Sequence, residues 1–579
     1  MNILLTAVNA KYIHSNLAVY SLKAYAEAYY PCHVDLAEYT INQPLDQILM
    51  DLYKRKPDVL GFSCYLWNIT YIEQLVCEIH KVLPDTEIWL GGPEVSWDAE
   101  RVLHRLPQVR GVMRGEGEAT FLEVVRYYEE ACVGELASIQ GITYRAGEEL
   151  VVNPDRPVMK TLDKIPFVYD HIEDFEHKII YYESSRGCPF SCSYCLSSID
   201  KCLRFRSLDL VTKELQFFID HKVPQVKFVD RTFNCKHDHA LAIWKYLVEH
   251  DQGVTNFHFE VAADLLKKEE IELIKTMRPG LIQLEIGVQS TNEKTIREIR
   301  RTMRFDEVSQ IVEEIKEKGN IHQHLDLIAG LPFEDYDCFR QSFNEVYALR
   351  PEQLQLGFLK VLKGSYMEEK AEEYELIYQD RPPFEVLSTR WLSYGEIIAL
   401  KGVEEMVEVY YNSRQFEQTM ELLESQFADA FSMFEALRDY YEAKELNLVS
   451  HTRISRYEIL FDFIQEVLQK QDRMSELEAY RESLTYDLYL RENVKNRPAF
   501  AGEPTVEKKI ASAFYEREEA ELNYLTGYEK FDKRQMRKMT HLEKVKGELI
   551  LFDYQNRSPL THQASTYVVD SAYVNVDNL

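Results

Sequence analysis

The stretch Cys188-Pro-Phe-Ser-Cys192-Ser-Tyr-Cys195 constrains this chain more than any other. It follows an apolar run, Ile179–Ser184, that reads as a strand, so three thiols sit on one loop at spacings of four and three. Thiolates spaced in this way reach three corners of an iron–sulfur cube and leave the fourth iron without a protein ligand. An open coordination position suits a site that binds a substrate, whereas structural metal sites fill every position. The competing reading is a zinc site completed by a distant ligand such as Cys202, but zinc sites are usually built from CxxC pairs rather than CxxxCxxC.

The loop belongs to a chain of 579 residues, enough for three or four domains of about 150 residues each. With 67 basic and 96 acidic residues the net charge is −29, which excludes nucleic-acid binding by bulk positive charge. Ten cysteines in this length are no secreted disulfide framework. The start, MNILLTAVNAKYIHSNL, lacks the features of a signal peptide, and no apolar run reaches about 18 residues. A cytoplasmic protein without a membrane span is expected, and there clustered cysteines serve as metal ligands or catalysts more often than as disulfides.

Residues 1–152 alternate strands (Ile3–Val8, His33–Glu38, Val59–Ser63, Glu87–Gly91, Gly111–Arg114) with helices such as Leu17–Tyr29 and Leu45–Arg55, and end in a hairpin, Gly141–Val152. This is the pattern of a parallel sheet covered by helices. A proline-punctuated linker occupies 153–175. A second strand–helix series fills 176–371, with strands at Ile179–Ser184, Gln225–Val229, His258–Val261, Leu281–Gly287, His322–Ile328 and Gln353–Leu359. Periodicity alone allows either an open parallel sheet or a partial α/β barrel here. Residues 372–579 read as a mainly α-helical domain with segments Gly395–Tyr411, Gln415–Tyr441, Arg453–Lys470 and Ser475–Asn493, then a basic stretch, Lys530–Lys546, and a strand, Glu548–Asp553.

CPFSCSYC, with Tyr194 before the third cysteine, resembles the cluster loop of the radical S-adenosylmethionine (SAM) superfamily, and the similarity extends over about 180–365. The resemblance implies a partial (β/α)6 barrel, a [4Fe–4S] cluster on Cys188, Cys192 and Cys195, and a SAM site around Tyr194. Asp230, ending the second barrel strand, stands where the superfamily holds the SAM amino group, and Glu260 ends the third. Glu285-Ile-Gly-Val-Gln289-Ser290 matches the fourth-strand pattern, Arg301 stands where relatives place an arginine for the SAM carboxylate, and Asp326 with Ile328 matches the segment that contacts ribose and adenine. Carboxylates at the carboxyl ends of parallel strands converge on one mouth, and a zwitterionic, ribose-bearing ligand needs acids for its ammonium and hydroxyls and an arginine fork for its carboxylate.

The N-terminal sheet resembles the Rossmann-like, doubly wound cobalamin-binding domain that precedes the barrel in one branch of that superfamily. The matching places are Asn9–Asn16, Ser63-Cys-Tyr65-Leu-Trp67, Gly91-Gly92-Pro-Glu94 and Gly115-Glu116-Gly-Glu118, all beyond strand carboxyl ends, where doubly wound sheets bind ligands. Ser63, Tyr65, Trp67, Gly91, Gly92, Gly115 and Glu116 are the implied cobalamin residues. The Asp-x-His-x-x-Gly loop that supplies a cobalt-ligating histidine elsewhere is absent, and His14 lies in another loop context. Tyr65 and Trp67 are then candidates for the lower corrin face.

These resemblances imply reductive cleavage of SAM with an electron from a donor such as flavodoxin or ferredoxin, hydrogen removal from an unactivated carbon, and methyl transfer. A cobalamin-dependent rearrangement or cyclisation needs the same sites, so the motifs leave that alternative open, as they do a cobalamin- or redox-responsive regulator. A methylthiotransferase would need three N-terminal cysteines for a second cluster; Cys32, Cys64, Cys77 and Cys132 fit buried, inert thiols better, Cys77 falling inside an amphipathic helix. Cys202, Cys235 and Cys338 read as structural.

Overall fold

The computed structural model describes residues 1–574 apart from 131, 133–134 and 199. The chain forms two units, one of residues 1–336 and 357–394, the other of 337–356 and 395–579.

Residues 1–358 hold two large sheets. In the first, β1 (Ile3–Asn9), β2 (Val34–Thr40), β3 (Val59–Ser63), β4 (Glu87–Gly91), β5 (Val109–Met113), β6 (Ile142–Ala146) and β7 (Glu149–Val152) lie in the order β2-β1-β3-β4-β5-β6-β7. β1 to β5 pair in parallel, and the predicted hairpin continues the same sheet, β6 running antiparallel to β5. All seven residues of β1 are buried. Leu4 and Val8 pack with the helices at 45–55, 69–82 and 99–105, while Ile3, Leu5 and Ala7 pack with those at 17–29 and 117–129. Burial on both faces explains the near-continuous apolar strands. The strand order reverses at β1, which puts the crevice for a ligand beyond β1 and β3.

The second sheet is built from β8 (Ile180–Tyr182), then, past a two-residue ribbon of β9 (Ser185–Arg186) and β10 (Arg204–Phe205), from β11 (Gln225–Phe228), β12 (Asn256–Val261), β13 (Ile282–Gln289), β14 (His322–Ala329) and β15 (Gln353–Phe358). Its order, β8-β11-β12-β13-β14-β15, follows the sequence without reversal. That singly wound order decides for the partial barrel over the open doubly wound sheet.

The two sheets are joined by backbone. Ile179 N–H donates to the Ile13 carbonyl at 2.7 Å, the Ser15 hydroxyl donates to the Ile179 carbonyl at 3.0 Å, and His14 bridges Ile179 in parallel. The loop after β1 therefore extends the β8 edge of the barrel.

In the second unit, helices Glu417–Glu424, Ala430–Ala443, Arg453–Lys470 and Leu477–Arg491 precede a three-stranded antiparallel sheet of Thr540–Val545, Glu548–Arg557 and Ala564–Val569. The expected segment 415–441 is two helices, because Asp429 accepts from Ser432 N–H at 2.8 Å and so starts a new one. The basic stretch is half strand: Thr540, Leu542 and Val545 are buried while Lys544 is exposed. Among the described residues no helix is long and apolar enough to cross a membrane.

Candidate functional site

The cluster loop leaves the ribbon at Gly187. Cys188 is buried and its N–H donates to the Asp200 carbonyl at 3.0 Å; Cys192 and Cys195 are half-buried, with Cys195 N–H donating to the Cys192 carbonyl at 3.2 Å. From outside, Ser193 donates to the Ile299 carbonyl at 3.0 Å and accepts from Met367 N–H at 3.2 Å. Burial pushes the Cys192 thiol up, with the Arg301 charge pulling the other way. Among the described residues, the one group of three metal-capable side chains with ligand atoms all within 4.8 Å of one another is Glu285, His324 and Asp326, so the three thiols are spread wider than that.

At the end of β13 the register shifts between Gly287 and Gln289, and Gln289 takes a φ of 70°. This turns its amide into the protein, where Oε1 is buried without a hydrogen-bond partner. Arg301 Nη1 donates to the Tyr194 hydroxyl at 3.0 Å and Nη2 to the Gly287 carbonyl at 2.6 Å. Both bonds go to neutral oxygens, and no carboxylate lies within ion-pair distance of Arg301 among the described residues. A half-buried cation without an anion, beside an orphaned amide oxygen and the cysteine loop, fits a ligand that brings its own carboxylate and ammonium.

Alternation along the barrel strands brings the other predicted acids together. His258 and Glu260 on β12, Glu285 on β13, and His324, Asp326 and Ile328 on β14 share the inward period. Lys227 on β11 donates to Glu285 at 3.0 Å, and His258 Nε2 lies 2.8 Å from the same oxygen. Burial alone would raise the Glu285 pKa, but His258 and Lys227 hold it down at about 2. His324 Nε2 lies 3.0 Å from Asp326. The Glu260 carboxylate has no hydrogen-bond partner among the described residues, and burial, opposed by Arg231 and reinforced by Glu285, raises it to about 7. Lys227, His258 and His324 were not anticipated; the signal was present in FHFE and HQHLD, where every second residue of a buried strand is polar.

Two expected SAM residues are placed otherwise. Asp230 is fully buried and accepts from Ser184 N–H (2.9 Å) and from the Ser184 and Ser185 hydroxyls (2.6 Å each). Burial raises its pKa to about 6 against those bonds. Sealed from the barrel mouth, it braces the end of β8 and is in no position to receive an ammonium. Ser290 is also sealed; its hydroxyl donates to Glu334 at 2.5 Å and accepts from Asn292 N–H at 3.1 Å, which starts the next helix.

All seven expected cobalamin residues line one cavity of about 1090 Å³, together with barrel residues that include Tyr181, Glu183, Arg186 and Arg231. Tyr65 and Trp67 form a stacked pair with ring centroids 4.5 Å apart. His14 also lines it, with Nδ1 2.6 Å from the Tyr181 hydroxyl, and burial lowers its pKa. The two glycine motifs differ in role. Gly92 has a φ of 111° and a Cβ there would run into the Cys64 carbonyl, so its glycine serves packing of the loop. A side chain at Gly115 would meet no protein atom within 4 Å and would stand in open space. Glu116 is not free for a ligand, since its carboxylate is taken by Arg204 and by Met159 N–H at 2.6 Å.

Three family models match successive parts of the chain. The B12 binding domain family matches residues 3–125, the radical SAM superfamily 182–346, and a family described as protein of unknown function (DUF4080) 372–569. The chain is 26% identical over 292 residues to an uncharacterized methyltransferase, PH0819, of Pyrococcus horikoshii, covering 48% of this chain and 62% of that one. It is 26% identical over 356 residues to the cobalamin-dependent radical SAM methyltransferase TokK of Streptomyces tokunonensis, covering 56% and 51%. It thus spans less than two thirds of the length of either. The cobalamin-dependent SAM radical enzyme OxsB, solved with aqua-cobalamin and SAM bound, shares the fold at a TM-score of 0.57 and 15% identity, over 84% of this chain and 83% of that one.

Proposed function

For a chain that fits the cobalamin-binding radical SAM family, joining a B12 binding domain to a radical SAM domain, we propose an enzyme that transfers a methyl group to an unactivated carbon of its substrate. The observation that carries this reading is the single cavity walled both by the strand ends of the N-terminal sheet and by the first two strand ends of the barrel. When bound, the [4Fe–4S] cluster and SAM supply a radical able to take hydrogen from an unreactive carbon, and the corrin supplies the methyl group.

The protein's part is binding and orientation. Cys188, Cys192 and Cys195 hold three irons and leave the fourth open. Arg301, anchored by Tyr194, offers its guanidinium to the SAM carboxylate; Gln289 and Glu260 are the uncommitted acceptors for its ammonium, and Asp326 and Ile328 face the nucleoside. Glu285 braces the lumen through Lys227 and His258, and Asp230 braces β8 through Ser184 and Ser185. Ser63, Tyr65, Trp67, Gly91 and Gly115 face the corrin. In this division residues 1–152 are the corrin module, 176–371 the barrel and 372–579 a family-specific domain. An external one-electron donor such as flavodoxin or ferredoxin serves it in a reducing cytoplasm.

The test is anaerobic reconstitution with iron, sulfide and cobalamin, then incubation with methyl-deuterated SAM and an extract of cells lacking the protein. Formation of 5′-deoxyadenosine together with a metabolite heavier by a deuterated methyl group is the expected result. 5′-Deoxyadenosine with an isomerised or cyclised, unlabelled product would replace methyl transfer by rearrangement.

A further inference from the structure

The loop that carries the three cysteines is closed at its base by the β9–β10 ribbon, in which Arg186 stands directly opposite Arg204. Two like charges directly opposed across an antiparallel pair repel, so this closure needs anions. Two of them, Glu116 and Glu118, come from the GEGE segment at the start of the helix Gly117–Glu129. Arg186 Nη2 donates to Glu118 at 2.8 Å and to Glu183 at 2.7 Å, and Nη1 lies 3.4 Å from Glu116. Arg204 pairs with the same Glu116 and with Asp200. The side chains of Arg204 and Glu118 are only 7% and 6% exposed. Removing one partner from such a buried network leaves a charge uncompensated.

Two further facts tie this network to both cofactor positions. Glu116, Glu118, Glu183, Arg186, Gly187 and Asp200 line the large cavity, so whatever fills it presses on them. The ribbon also grips the first cysteine: Gly187, at a φ of 92°, has room for no Cβ, which would lie 2.6 Å from the Cys202 carbonyl, and Cys188 N–H is bonded to the Asp200 carbonyl. Glu116 is therefore linked to Cys188 through Arg186 and Gly187 on one side and through Arg204 and Asp200 on the other.

Resting on the corrin and cluster reading above, we propose that Glu116 and Glu118 are positioning residues that couple filling of the corrin cavity to the geometry of the cluster loop. Coupling between two sites is reciprocal: a filled cavity stabilises the loop that holds the cluster, and a formed cluster tightens the cavity.

The experiment uses the full chain under anaerobic conditions and compares the Kd for hydroxocobalamin of cluster-loaded and cluster-free protein. In the wild type the cluster-loaded form is expected to bind about fivefold or more tightly. In the Glu116→Gln, Glu118→Gln double variant the ratio should fall to one while cluster content is retained, and Glu116→Asp should restore part of it. A ratio of one in the wild type, measured without any variant, overturns the proposal, as does an undiminished ratio in the double variant. Wild-type protein that takes up no corrin in either form overturns the functional reading along with it.

Discussion

The guanidinium of Arg301 donates to the hydroxyl of Tyr194 at 3.0 Å across 107 residues of sequence. The bond docks the cysteine loop on the end of β13 and fixes a cation beside it. It places Tyr194, an aromatic in the middle of the motif, in the service of the arginine. Replacing Arg301 with Ala should weaken SAM binding by about 1.5–3 kcal/mol, the range for hydrogen bonds to charged groups. Tyr194→Phe, which keeps the guanidinium, should cost no more than about 1 kcal/mol. Calorimetric titration of cluster-loaded protein decides; equal losses in both variants would mean that docking of the loop, not the charge, governs affinity.

The cluster itself should depend on each of the three thiolates. Cys192→Ala leaves two ligands for a cube that already lacks one, so iron content should fall and SAM cleavage should stop. A Cys202→Ala variant should keep both, because Cys202 is exposed and belongs to the base of the loop. Iron analysis and the electron paramagnetic resonance spectrum of the reduced protein report the outcome.

Asp230 gives a pH dependence of unusual sign. Its folded pKa, about 6, stands above the ordinary carboxyl value of 3.8. Between these values the folded state holds a proton that the unfolded state has lost, so this group makes stability fall as pH rises from about 4 to about 6 and adds no slope beyond. The size is on the order of 3 kcal/mol. Asp230→Asn keeps an acceptor for Ser184 N–H and a donor for the hydroxyls, so it should remove that slope and leave SAM affinity unchanged. Denaturant midpoints across this range, wild type against variant, measure it.

The two glycine motifs should respond differently. Gly92→Ala forces a Cβ onto the Cys64 backbone and should lower thermal stability through overpacking, by about 1–3 kcal/mol. Gly115→Asn occupies open cavity in a conformation that asparagine tolerates, so it should leave the melting temperature nearly unchanged while reducing corrin uptake tenfold or more. Gel-filtered protein assayed for bound corrin and for thermal melting separates the two effects.

No imidazole should reach cobalt. The cob(II)alamin spectrum of the wild type should lack a nitrogen splitting from a lower ligand, and His14→Ala should not change it, because the chain carries no Asp-x-His-x-x-Gly loop to present an imidazole. A splitting that His14→Ala abolishes would make that residue the axial ligand.

Much of this site could be read from the residues. The β-strands Val59–Ser63 and Glu87–Gly91 and the helices Leu17–Tyr29 and Leu45–Arg55 fall at the expected positions, since apolar runs closed by Pro57 or by paired glycines leave little choice. The cavity residues were legible because strand order and glycine turns locate the crevice. What periodicity could not supply was the direction of individual carboxylates. Asp230 and Glu260 both end inner strands, yet neighbouring Ser184 and Ser185 capture the first and no side chain among the described residues captures the second. Glu116 read as a ligand residue because its partners, Arg186 and Arg204, lie 70 and 88 positions away and carry no local signal. The strand at Thr540–Val545 was hidden within a lysine-rich stretch, although its one lysine, Lys544, marks an exposed face rather than a solvated coil.

The pairing of Ile13 and Ser15 with Ile179 sets a limit on dissecting this protein. A fragment beginning at residue 176 would leave the Ile179 amide and carbonyl unmet beside β8, a foothold for strand addition by another copy. Transplanting the corrin module of a relative onto this barrel meets the same obstacle, because the graft must supply its own backbone for that edge. Exchange between such proteins is therefore workable only when residues 13–15 travel with the barrel they seal, whatever happens to the rest of the N-terminal sheet.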